Sequence, residues 1–185
     1  TSPFARWRAD GSWRSRDDVY VVGPAPAEHW PQVRPLTPGQ HGAYTGAIGP
    51  ELSIGSSLGD SYADTVMLVK VAAGGKNLRT DFRPPSATGA TGPMYTAMKN
   101  EILSVMAGLS NNTFPALAGR PPVISGFFWW QGWNDLGQPD GYGELLELLI
   151  ADVRKLLNAP TLPVVIADTG NGYDYDNARQ NLITE

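Results

Sequence analysis

Gln131, Gly132, Trp133, Asn134 and Asp135 put two side-chain amides and a carboxylate into five consecutive positions, directly after the eight residues Val123 to Trp130, which read as a buried strand. A turn that only reverses the chain needs a Gly or a Pro and little else. Amide donors fixed at a strand end suit acyl transfer, because they can hold the carbonyl oxygen as it becomes negative, at about 3 kcal/mol per donor. Gly74 and Gly75 close another apolar run, and glycine there lets backbone N–H groups face a ligand with no Cβ in the way. Gly74, Gly75, Gln131 and Asn134 are therefore the candidate oxyanion donors. Plainer readings stand beside this one. Paired glycines after strands also serve as simple turns, and Asp135 fits a cap or a loop-holding carboxylate better than a catalytic acid. Trp129, Trp130 and Trp133 could stack on a sugar ring or fill a core.

The elements that would position these residues follow from apolar spacing. "DVYVVG" (Asp18 to Gly23), "TVMLVKVAA" (Thr65 to Ala73), Val123 to Trp130 and "LPVVIAD" (Leu162 to Asp168) read as strands. Between them lie helices. "ELSIGSSLGDSY" carries Ile54, Leu58 and Tyr62 at spacing four, Met94 to Leu109 carries Met98, Ile102, Val105 and Leu109, and Tyr142 to Leu157 carries Leu145, Leu149, Val153 and Leu156. A further helix is expected to begin near Asp176. Strands alternating with helices predict an α/β fold, a mostly parallel sheet with helices on both faces. In such sheets ligands bind at the carboxyl ends of the strands, where all the candidate residues lie. The long Pro- and Gly-rich stretch from Pro24 to Pro50 is expected to be loop.

Composition narrows the chemistry. At 185 residues, the chain fits one domain with a real core. Fourteen basic residues are spread along a chain of net charge −4, which gives no footprint for nucleic acid. No apolar run approaches the ~20 residues of a membrane span. With no Cys and two His, thiolate zinc, a three-histidine metal site and a thiol nucleophile are excluded, and no cofactor or metal is expected. His41, in "TPGQHGAY", is the better placed of the two histidines for facing a substrate, and His29, beside Trp30, the weaker. Ser61, in "LGDSYAD", imitates a nucleophile block, but it sits on a predicted helix that precedes its strand, so it reads as a decoy.

Gly132-Trp133-Asn134-Asp135 resembles the Gly-x-Asn-Asp block of SGNH hydrolases, and "WWQGWND" is similar to the Trp-x-Gln-Gly-Glu-Ser-Asp block of sialate O-acetylesterase-like carbohydrate esterases. "RDDVYV", "IGPELSIGSSLGD", "LVKVAAGGKNL" with "DFRPP", and "GYGELLELLIADVRKLL" follow in that family's order, so the resemblance runs from about Arg16 to Thr169. Trp133 and Asn134 stand where the family block has Glu and Ser. The resemblance implies a three-layer SGNH-type (flavodoxin-like) domain that acts on an acetylated carbohydrate or other small acyl ester, with oxyanion groups at Gly74 or Gly75, Gln131 and Asn134. The family's nucleophilic Ser is expected before Phe4 and its His after the helix near Asp176, so residues 1–185 are expected to be a single domain truncated at both ends. Export from the cytoplasm follows by analogy alone. Two other classes stay open: a glycan-binding descendant using Trp133, Arg79 and Arg83, and a structural or interaction domain.

Overall fold

The computed structural model describes residues 5–25, 33–41, 46–117, 119 and 121–169. His29 and the helix expected near Asp176 lie outside them. The fold is α/β, and the chain divides into two compact units, one drawn from residues 1–74 and 100–121, the other from 75–99 and 122–185.

The first unit is built on a three-stranded sheet with β3 (Arg16–Ala25) at its centre, between β4 (Val33–Leu36) and β5 (Val66–Val71). β3 runs parallel to β5, in the register Val19 to Val66 and Val21 to Leu68, and antiparallel to β4. Side chains alternate across a strand, and β3 uses both faces. Val19 and Val21 pack with Leu36 and Leu52, whereas Val22 packs with Val105, Phe114 and Leu117. β4 lies inside the segment expected to be loop. Its Pro35 lowers the strand signal, and proline is tolerated there because β4 bonds to β3 on one side only in this sheet. A short hairpin, β1 (Arg8–Ala9) with β2 (Ser12–Trp13), precedes the sheet. Its turn residues Asp10 and Gly11 have φ of 50° and 81°, as a two-residue Asp-Gly hairpin requires.

Helix α1 (Glu51–Ser61) forms where expected but turns a different face inward. Glu51, Leu52, Gly55 and Ser56 are buried, whereas Tyr62, expected on the apolar stripe, is 56% exposed. The cause is close approach. A Cβ on Gly55 would lie 2.7 Å from Leu36 Cδ2 and 3.2 Å from Val19 Cγ1, and one on Gly59 would lie 2.6 Å from Val19 Cγ2. Small residues, rather than the large ones at spacing four, let this helix meet its sheet.

The second unit pairs β6 (Phe127–Trp129) with β7 (Val164–Ile166) in parallel, Trp129 opposite Ile166. β6 is shorter than the eight-residue strand expected. Pro121 and Pro122 lack N–H groups, Val123 is 84% exposed, and pairing starts only after Gly126. Among the described residues β3 with β5 and β6 with β7 are parallel pairs in separate sheets. Helix α3 (Tyr142–Leu156) buries Tyr142, Leu146, Leu149 and Val153, and α2 (Pro93–Ser110) begins in this unit and ends in the first.

Gly55→Ala should test the packing of α1. In an exposed helix this change is worth up to about 1 kcal/mol of added stability, whereas overpacking costs about 1–3 kcal/mol. Urea denaturation is expected to show Gly55→Ala less stable than the parent and Ser53→Ala, on the exposed side, unchanged or slightly more stable. A stabilised Gly55→Ala would contradict the close packing.

Candidate functional site

The second unit brings the candidate residues of the opening motif to one place. After Trp129 the chain passes Gly132, at φ 158° and ψ −29°, into a 3-10 turn from Trp133 to Asp135. Asp135 is only 4% exposed, and its carboxylate faces inward. It accepts the backbone N–H of Leu78 at 2.9 Å, that of Arg79 at 3.3 Å and the side-chain amide of Gln131 at 2.6 Å. A buried carboxylate is tolerable when donors surround it in this way. This is the loop-holding role, and it commits both acceptor oxygens of Asp135.

Gln131 Nε2 and Asn134 Nδ2 converge on a single acceptor, the carbonyl of Lys76, at 3.2 and 3.0 Å. Lys76 directly follows Gly75, so both amides reach the chain beside the candidate glycine. The two differ in what they have left. Gln131 spends its amide protons on Asp135 and Lys76, and its Oε1 accepts from Tyr142 at 3.0 Å. Expected as an oxyanion donor, Gln131 is thus a clamp between loops. Asn134 is exposed and spends one amide proton on Lys76, leaving the other. Gly74 and Gly75 are exposed, with open space where a Cβ would stand, and Gly75 has φ 71°, a conformation that favours glycine.

Tyr142, at the start of α3, was not legible as a site residue. Its hydroxyl accepts Trp129 Nε1–H at 3.0 Å and meets the Gln131 carbonyl at 2.8 Å. Burial pushes its pKa up to about 12, so it holds its proton at neutral pH and acts as a strut. The loop that begins at Gly75 is ordered from within. Asn77 Oδ1 accepts Thr80 N–H at 2.8 Å and the Thr80 hydroxyl at 2.7 Å, a local side-chain turn of the kind Asn makes. Asp81 accepts Asn77 N–H and Lys76 Nζ, each at 3.1 Å, and these partners hold its carboxyl below the usual range. The signal for this turn was Asn followed three residues later by Thr, in "KNLRT".

The candidate substrate-binding residues are placed less favourably for that role. Arg79 donates to the Gln138 carbonyl at 2.9 Å and to that of Asp140, and Arg83 donates to the carbonyls of Arg79 at 2.6 Å and Thr88 at 3.3 Å. Both guanidinium groups thus serve the loops. Trp133 is 48% exposed. His41 belongs to the first unit and does not face solvent, a correction to the expectation. It is 2% exposed, its Nε2 lies 3.0 Å from the Pro35 carbonyl, and burial lowers its pKa. Its own carbonyl accepts Lys70 Nζ, which also pairs with Glu51 at 2.7 Å. Ser61 is the last residue of α1 and donates back to the Ser57 carbonyl at 2.7 Å, an arrangement that gives it no activating base.

The chain is thus α/β, with amide-bearing loops gathered beyond a strand end. The chain belongs to the family of carbohydrate esterases described as sialic acid-specific acetylesterase, whose model matches residues 7–184. A protein from Arabidopsis thaliana, solved by X-ray crystallography at 1.6 Å, superposes with a TM-score of 0.61 at 17% identity and covers 91% of this chain. That likeness is one of fold. The chain spans 64% of that protein's length. No curated protein matches the chain.

Replacing Asp135 by Ala should cost about 2–4 kcal/mol, because it leaves three N–H donors without their acceptor, two of them main-chain. Asn134→Ala, at an exposed position, should cost well under about 1 kcal/mol. Equilibrium denaturation separates the two, and equal small losses would remove Asp135 from its organising role.

Proposed function

We propose that this chain carries the oxyanion side of a serine-dependent carbohydrate O-acetylesterase, acting on acetyl esters of sugars such as sialic acid or xylan. The reading requires a nucleophilic Ser and a His other than Ser61 and His41. The observation that carries the reading is Asn134. Its exposed amide is pinned to Lys76 beside Gly75 by one proton and has the second to offer, on loops tied together by a buried carboxylate. Family membership supplies the reaction class.

In this reaction the serine oxygen attacks the acetyl carbonyl as His takes its proton. The negative oxygen that forms is held by Asn134 Nδ2 and by a main-chain N–H of Gly74 or Gly75. Collapse expels the sugar oxygen, which takes the proton from His, and water then releases acetate by the same steps. Gln131 and Tyr142 position the donors without touching the substrate. Asp135 plays no acid role, since its oxygens are occupied by N–H groups. Trp133 offers an indole face to the sugar. The described residues give no substitute for the Ser-His pair, for Ser61 is bonded within its helix and the His41 ring is buried.

The 185-residue chain is expected to hydrolyse aryl acetates negligibly, and a chain extended at both ends to be active. Within the extended chain Asn134→Ala should lower turnover by about 10² to 10³, the usual cost of losing one such donor. Robust turnover by the short chain that Ser61→Ala abolishes would overturn the reading. An inactive extended chain that still binds glycan would favour the non-catalytic descendant.

A further inference from the structure

The first unit holds a cavity of about 290 Å³ between α1 and the segments that flank the β1–β2 hairpin. Its floor is apolar. Leu36 and Leu52 are buried there, and Trp7 packs against the same cluster while its Nε1–H donates to Ser56 Oγ at 2.8 Å. Ser56 is buried, and having accepted from Trp7 it retains its own hydroxyl proton to donate. The backbone N–H of Arg14 bonds the Trp7 carbonyl at 2.9 Å, which brings the Arg14 side chain to the same wall.

The guanidinium groups of Arg6, Arg14 and Arg16 and the carboxylate of Asp60 stand on the walls, and they are not equally free. Arg16 is committed. Its Nε and Nη2 go to Asp18, which lies outside the wall, at 2.8 and 2.6 Å, and its Nη1 reaches the Ser56 carbonyl at 3.2 Å and Asp60. Arg6 bonds Asp60 through Nη2 alone, at 3.1 Å, and the Arg14 side chain has no partner among the described residues. The unspent donors thus come from two guanidinium groups, one on each side of the hairpin, with the Ser56 hydroxyl as a third source. A carboxylate has two oxygens in one plane and is saturated by one guanidinium fork, whereas a phosphate or sulfate ester turns three oxygens in three directions. The walls therefore match a tetrahedral oxyanion, and the floor matches an apolar or aromatic group attached to it. The volume sits at the low end of the roughly 300–1,000 Å³ of ligand sites, room for one ring with its oxyanion.

From this geometry we propose that the cavity binds a small monoester of phosphate or sulfate, with Arg6, Arg14 and Ser56 on the oxyanion and the organic group against Trp7 and the leucines. The walls lie wholly in the first unit, so this site stands independently of the esterase reading. Isothermal titration of the 185-residue chain with phenyl phosphate, phenyl sulfate and sodium benzoate at matched ionic strength tests it. At least one of the two monoesters should bind about tenfold or more tightly than benzoate, as a second charge-assisted guanidinium contact warrants, and the tighter of them names the acid. Arg14→Gln, at an exposed position whose fold circular dichroism can verify, should remove that advantage. Arg8→Gln, outside the cavity with its guanidinium over Trp13, should keep it. Absent binding, neither monoester reaching that margin, an Arg14→Gln chain that binds unchanged, or an Arg8→Gln chain weakened as much as Arg14→Gln would each overturn the proposal.

Discussion

Burying the carboxylate of Asp135 is tolerable only because N–H groups of Leu78, Arg79 and Gln131 meet it. An ion taken from water without such donors costs several kcal/mol. Those bonds fix the loop that begins at Gly75 to the turn that follows β6. Everything proposed for the site depends on this tie. Asn134 is held one residue from Asp135, Lys76 lies two residues before Leu78, and the Asn134–Lys76 bond closes between them. The second layer, Tyr142 with Trp129 and Gln131, keeps the turn in register with α3. Stability and function therefore rest on different neighbours. Asp135 gives up its chemistry to organise the loops, and Asn134 keeps one donor outside that scheme.

The elements were legible in sequence where apolar spacing was long and unambiguous. α2 and α3 form where their stripes place them, with Met98 and Val105 buried on the first and Leu149 and Val153 on the second while Ile102, Leu109, Leu145 and Leu156 are half-buried, and β3, with Val19, Val21 and Val22 fully buried, was read from its β-branched run. Failures have physical causes. The inward face of α1 is set by Gly55 and Gly59, which carry no hydrophobic signal and matter because they let the sheet come near. β4 was hidden by Pro35, and β6 was overextended because Val123 and Ile124 look like strand, although Val123 is exposed and pairing begins only at Phe127. Which strands share a sheet depends on long-range pairing, and apolar spacing along the chain does not specify it.

The site was legible in part. That Gln131, Asn134 and Asp135 should matter followed from polar side chains placed where a turn does not need them. Their division of labour did not follow, because it depends on which amide protons the loop from Gly75 consumes. His41 illustrates the limit from the other side. Its setting in a Gly- and Pro-rich stretch suggested exposure, yet the Pro35 carbonyl and the Lys70–Glu51 pair enclose it. Arg79 and Arg83 likewise looked like ligand-facing charges and prove to be bonded to loop carbonyls.

The tie between the two loops is tested most directly by amide hydrogen exchange at Leu78 and Arg79. Both N–H groups lie in a loop, where exchange is ordinarily fast. Bonded to a buried carboxylate, Leu78 in particular should exchange about as slowly as the core amides of α3, and Asp135→Ala should speed both by about a hundredfold or more while leaving those of β3 much less affected. Leu78 and Arg79 amides that exchange at exposed-loop rates in the parent chain would contradict the account.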